Sequence, residues 1–225
     1  MKIKEIAPNI FLATYDTQYD LCMSFVRIQE FYESPEFKRR YFTLEEFIDW
    51  WSLNVSMTYG SFDYPSRWCG FNIPGKIIYD WLFECDENIL RDRELDLIRG
   101  LAKSLHIKTG SVDQGQGFYE IFQNKMNKIY LIGCHKKNTI GQRSKVIDHE
   151  MAHAMYALNA KYKERCDNLL KKMGKNTAED IDSLIKKGYD KSVIDDELQA
   201  YYSTGCEFGK HQQFINNFKK FACKK

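Results

Sequence analysis

Two histidines four residues apart, with a glutamate directly after the first, give the stretch of this sequence best suited to chemistry: His149-Glu150-Met151-Ala152-His153. On a helix, residues four apart stack on one face, about one turn from each other. Both imidazoles can then aim a ring nitrogen at a single ion, and borderline-soft Zn²⁺ accepts such a pair in tetrahedral geometry. Glu150 is rotated about 100° from His149, near enough to reach a water on that ion without displacing it. Thr139-Ile-Gly-Gln142 is a capping-box pattern, and a helix opening there carries the motif in its third and fourth turns. The other sides of that helix are apolar, through Val146, Ile147, Met151, Ala154, Met155 and Leu158. A helix of this kind is buried, and two histidines and a glutamate on it are costly without a partner. The competing reading is a pair of satisfied core histidines with a chance glutamate between them. The spacing favours the metal.

The segment resembles the zincin group of zinc metallopeptidases, in which a helix bearing HExxH follows a strand that pairs with extended substrate. KIYLIGC, residues 128–134, stands where that strand belongs, and the resemblance covers roughly residues 117–205. The metzincin extension HExxHxxGxxH is not met, because Tyr156 and Asn159 occupy its glycine and final histidine positions. Gluzincins are closer: their third ligand is a glutamate on a second helix, and Asp195-Asp196-Glu197-Leu-Gln-Ala200 supplies Glu197. Asp196, Asp195, Asp190 and Glu179 are the alternatives, and an aspartate ligand would give the aspzincin type with the same chemistry. Tyr201 stands where the gluzincin ExxxD pattern has its aspartate, so the carboxylate that orients a ligand imidazole has no assignment.

The resemblance implies a zinc-dependent endopeptidase in which His149, His153 and Glu197 hold Zn²⁺ and Glu150 is the general base. A tyrosine or histidine would donate to the oxyanion, with Tyr201, Tyr202, Tyr189 and His211 as candidates. A peptide or protein substrate would add alongside residues 128–134 as an extra strand. Hydrolysis of a non-peptide amide would use the same centre. The contrasting class is a non-catalytic metal-binding regulatory or protein-interaction module with a zincin-like fold. Glu150 separates the two, since a purely structural site has no use for an acid that does not ligate the metal. Cys134-His135 is a weaker site, because adjacent side chains on a turn seldom meet on one substrate; His106 reads as an ordinary surface or core histidine.

Around these residues the chain alternates between periods. Residues 17–34 carry apolar groups at helical spacing and stop before Pro35, and Thr43-Leu-Glu-Glu46 opens a second helix ending near Leu53. Residues 55–76 read as a loop folded onto the core by Tyr59, Phe62, Tyr64, Trp68 and Phe71. A helix follows over about 88–106. GFYEIFQ (117–123) and KIYLIGC, joined by Asn124-Lys-Met-Asn127, read as an antiparallel hairpin. Helices are expected over about 140–160, 162–174, 178–188, 191–204 and 208–222. The fold class is therefore α+β, mostly helical, with a small antiparallel sheet beside a central HExxH helix. Gly110–Gly117 marks a seam between an N-terminal helical, aromatic-rich region, 1–110, suited to substrate recognition or partner binding, and a metallopeptidase region, 111–225, the two forming one compact unit.

Composition closes off other classes. The chain has 225 residues, 44% of them hydrophobic and 28% charged, which suits a folded core rather than disorder. A net charge of +2 is too even to argue for nucleic acid. No apolar run approaches the roughly 18 residues that a membrane helix needs, and Pro8, Asn9 and Thr14 interrupt the start too early for a secretion signal. Seven scattered cysteines with no CxxC pair point to reduced thiols in the cytoplasm.

Overall fold

The computed structural model describes residues 1–85, 90–107, 116–137, 140–187, 189–205, 208 and 211–222. The chain divides into two compact units, Met1–Thr139 and Ile140–Lys225. The seam expected at 110–117 falls largely outside the described residues, and the division lies further along. The reason is in the sheet, which needs a strand from residues 130–135 to join strands from the first fifteen.

That sheet is mixed, not antiparallel. Strands β1 (Lys2–Ala7) and β2 (Ile10–Tyr15) form a hairpin. Pro8 and Asn9 turn the chain, with Asn9 in the left-handed region at φ 63°, which asparagine tolerates, and its N–H donates to Glu5 Oε1 at 2.8 Å. β3 (Gly70–Pro74) and β4 (Tyr130–His135) complete the order β1-β2-β4-β3. β4 runs parallel to β2 and antiparallel to β3. The N-terminal third is thus not wholly helical: KIKEIA and IFLATY alternate around a Pro-Asn turn.

GFYEIFQ is not a strand either. It lies in helix α6, Gln116–Met126 (helices are numbered in chain order). Phe122 and Met126, four apart, are buried while Glu120 and Ile121 are exposed, a helical rather than an alternating period. KIYLIGC therefore has no hairpin partner before it and pairs with β2 and β3 instead. Because β4 has a neighbour on each side, its main-chain groups are taken, and a substrate strand cannot be added alongside residues 130–135. The edges of the sheet are β1 and β3.

The remaining helices of this unit are α1 (Gln18–Glu33), α2 (Leu44–Asn54), α3 (Tyr64–Arg67), α4 (Gly75–Glu84) and α5 (Asp92–Ser104). Thr17 and Thr43 accept from the N–H groups of Asp20 and Glu46, capping α1 and α2, the second as its capping-box pattern predicts. The stretch read as a loop, 55–76, contains α3 and β3; its Tyr64 and Phe71 are core residues, while Met57 and Tyr59 are exposed. α1 lies against β4 so closely that a Cβ at Gly133 would stand 2.8 Å from Leu21 and 2.9 Å from Phe25. One charge pair is sealed in this core. Arg27 and Glu94, each 1% exposed, meet through two bonds, Nε to Oε1 at 2.7 Å and Nη2 to Oε2 at 2.5 Å. Glu94 also accepts from the Arg91 N–H at the start of α5, at 2.9 Å, and Arg27 donates to the Phe42 carbonyl at 3.2 Å.

The second unit is helical throughout its described residues: α7 (Ile140–Leu158), α8 (Ala160–Met173), α9 (Ala178–Lys186), α10 (Ile194–Thr204) and α11 (Gln212–Ala222). Thr139, and with it the expected cap of α7, lies outside the described residues. Asn159 caps α8 by accepting from the Tyr162 N–H at 3.1 Å, and Gly205 ends α10 in the left-handed conformation at φ 68°. α10 packs on α7 and α11, and α8 on α7 and α11, with Ala152, Ala154 and Ala200 fully buried. No helix among the described residues is long and apolar enough to cross a membrane.

The Arg27–Glu94 pair generates the first prediction. Glu94→Ala leaves a guanidinium buried without its counter-charge, which costs about 3–5 kcal/mol. Denaturant unfolding is expected to show that loss in the transition of the first unit; a loss under about 1 kcal/mol would contradict the pair's role.

Candidate metal centre

α7 and α10 bring together the three residues expected to hold a metal. His149 and His153 occupy one face of α7, with ring centroids 4.9 Å apart. Glu197 comes from the first turn of α10, where the helix dipole favours acids. Successive helical residues are rotated by about 100°, so the run Asp195-Asp196-Glu197 sorts itself. Asp195 points to solvent, Asp196 is partly buried, and Glu197, 5% exposed, faces α7.

One donor atom from each of His149, His153 and Glu197 can be chosen so that all lie within 4.8 Å of one another. The two Nε2 atoms are 3.3 Å apart. His153 Nε2 stands 3.7 Å from Glu197 Oε1, and His149 Nε2 stands 3.9 Å from Oε2. Ligands bonded to one tetrahedral ion at about 2.0–2.1 Å stand roughly 3.3–3.4 Å from each other. The histidine pair meets that spacing, and the glutamate is a few tenths of an ångström wide of it.

The charges are those of a cation site. Burial pulls the His149 imidazole down to about 3, with the His153 charge pushing the same way, so His149 is neutral with a lone pair to offer. Burial would depress His153 too, but the carboxylates of Asp196 and Glu197 hold it well above its ordinary range. Burial lifts Glu197 to about 7 against the pull of His153, and the negative charges of Asp196 and Glu150 add to the rise. Glu197 Oε2 has no hydrogen bond among the described residues. Two ring nitrogens 3.3 Å apart share a hydrogen, as an N–H···N bond, or an ion. The group fits a metal ion.

The alternative third ligands fall elsewhere. Asp196 Oδ1 lies 2.9 Å from His153 Nδ1, the ring nitrogen turned away from the common point. That is the position of a carboxylate that would orient the ring if Nε2 held a metal. Asp190 caps the turn at Lys191–Val193, and Asp195 and Glu179 are exposed.

Glu150 is buried, and its charge is felt by both His153 and Glu197. Tyr201, four residues after Glu197, shares its face of α10, and its ring centroid is 4.6 Å from that of His149. Tyr202 is turned elsewhere: its hydroxyl donates to Asp180 Oδ2 at 2.5 Å, and its ring packs 4.0 Å from His211. Tyr189 follows α9 with its N–H on the Leu184 carbonyl. Among the oxyanion-donor candidates, Tyr201 has its ring against that of His149.

Cys134 and His135 belong to β4, where neighbouring side chains point to opposite faces, so they form no joint site. His106 is exposed and closes the end of α5 in the left-handed conformation, at φ 53°. Asp196, one of the alternative ligands read from the sequence, lies instead on the far nitrogen of His153. Its signal was its position one before Glu197 on a first helical turn. No known protein family, curated protein or solved structure matches the chain.

The second prediction concerns occupancy. Protein purified without chelators is expected to carry about one divalent ion per chain, lost in His149→Ala and in Glu197→Ala. Elemental analysis finding equal metal in wild type and both variants would contradict the ligand set.

Proposed function

We propose that this protein is a zinc-dependent metalloendopeptidase of the gluzincin type, with His149, His153 and Glu197 as ligands. The observation that carries the reading is the 3.3 Å approach of the two Nε2 atoms beside Glu197, with Glu150 next to them on the same helix. Two nitrogens and a carboxylate suit zinc, and three protein ligands leave a position for water or substrate. When bound, zinc would acidify water and polarise the scissile carbonyl.

The chain's own residues do the rest. Glu150 accepts the proton of the attacking water and returns it to the departing amine nitrogen. Tyr201, whose ring lies against His149, donates its hydroxyl to the oxyanion. Asp196 keeps the His153 ring in orientation. Extended substrate does not pair with β4, whose two edges are filled by β2 and β3.

Two predictions follow from this division of labour. Glu150→Gln is expected to retain the metal and lower peptide hydrolysis by about 10²–10⁴-fold. The measurement is turnover of a mixed peptide library, followed by mass spectrometry. A wild type that binds zinc but cleaves no library member would instead favour a non-catalytic metal-binding module, and undiminished cleavage by Glu150→Gln would remove the base assignment.

Tyr201→Phe and Tyr202→Phe should behave differently. The first is expected to lower kcat by about 10²–10³-fold, the size of losing one oxyanion donor. The second leaves the Asp180 carboxylate without its donor and costs stability, about 1–3 kcal/mol, with kcat little changed. Equal kcat losses in both variants would contradict the assignment.

A further inference from the structure

His153 is not oriented by Asp196 alone. Asp196 Oδ1 also accepts from Gln199 Nε2 at 2.9 Å. Gln199 Oε1 in turn accepts from the Tyr162 hydroxyl at 2.8 Å and from the Cys166 thiol at 3.8 Å. Ser203 Oγ lies 3.0 Å from the Tyr162 oxygen, and Asn217 Nδ2 donates to Cys166 Sγ at 3.3 Å. His153 is on α7, Asp196, Gln199 and Ser203 are on α10, Tyr162 and Cys166 on α8, and Asn217 on α11. Gln199, Tyr162 and Cys166 are fully buried.

The chemistry of the end groups gives the chain of bonds one direction. An ionised carboxylate only accepts, so the Gln199 amide must turn its NH₂ toward Asp196 and its carbonyl toward Tyr162. Tyr162 then spends its proton on Gln199, and Ser203 donates to the phenol oxygen. Burial pushes the Tyr162 phenol well above its usual range, which keeps it a donor. At the other end His153 Nδ1 must carry the hydrogen, which makes Nε2 the nitrogen that can give its lone pair to an ion. Nε2 is the atom that faces His149 and Glu197.

We propose that Gln199 and Tyr162 are positioning residues that lock Asp196 as the acceptor for His153 Nδ1–H and thereby commit His153 Nε2 to the metal. The inference rests on the reading of His149, His153 and Glu197 as a metal site and concerns residues that touch neither the ion nor substrate. Gln199 occupies the turn of α10 after Glu197, so the helix that delivers the third ligand also delivers the clamp on the second. A side chain with a donor at one end and an acceptor at the other is required at residue 199; glutamate or leucine would break the direction.

The test is a competition titration of Zn²⁺ and Co²⁺ against a chromophoric chelator. It uses full-length wild type, Asp196→Ala, Gln199→Leu and Tyr162→Phe, each checked for folding by circular dichroism. Removing an outer partner of a ligand histidine lowers metal affinity by about 10–100-fold, the result expected for Asp196→Ala. Gln199→Leu and Tyr162→Phe are expected to show smaller losses in the same order. The visible bands of the Co²⁺ protein should shift in all three, which a defect confined to packing would not produce. If Asp196→Ala does not fold, Asp196→Asn takes its place, with the same expectation. Affinities within about threefold of wild type, with superimposable Co²⁺ spectra, would overturn the relay while leaving the ligand set intact. A wild type that takes up neither ion would overturn the ligand set, and the relay with it.

Discussion

Two imidazoles and a carboxylate share one small, largely buried volume between α7 and α10, an arrangement that a cation at its centre would stabilise. Burying an ionised carboxylate costs several kcal/mol, and the two facing ring nitrogens must share a hydrogen or an ion. The chain holds them together nonetheless, on helices whose other faces are filled with Ala152, Ala154, Leu198 and Ala200. Asp196 and Glu150 add further negative charge around the same point. A hydrogen bridges the two rings only; a divalent cation engages all three donors at once. The second unit reads as a scaffold for that compensation: α10 packs on α7 and on α11, and α8 supports both neighbours.

The site was legible in the sequence to the extent that helical geometry alone fixes it. His149 and His153 had to stack because they are four apart on a helix, whereas Glu197 followed from the gluzincin resemblance rather than from helical geometry. What could not be read was the rotation of α10 about its own axis, which decides whether Asp196 or Glu197 faces the ring nitrogens. The same uncertainty covered Tyr201 and Tyr202: neighbouring residues, one against His149 and the other committed to Asp180.

The first unit was less legible, for a different physical reason. Its sheet is assembled from strands far apart in sequence, so local pattern identified KIYLIGC as extended but not its partners. GFYEIFQ, rich in aromatic and β-branched residues, satisfies a strand propensity locally, yet Phe122 and Met126 bury at helical spacing; tertiary packing overrode propensity. β1 and β2 were hidden by their shortness and by the charged residues of KIKEIA, which suit an edge strand. β4 lies inside the sheet, and this removes one feature that the zincin resemblance implied while leaving the ligand geometry, on the other unit, untouched.

The account stands or falls on which atoms surround the ion. X-ray absorption at the zinc edge of the loaded protein measures them directly. The prediction is two imidazole nitrogens and carboxylate or water oxygens at about 2.0–2.2 Å, with no sulfur. A sulfur shell at about 2.3 Å would place the metal on cysteines instead of His149, His153 and Glu197 and would contradict the account.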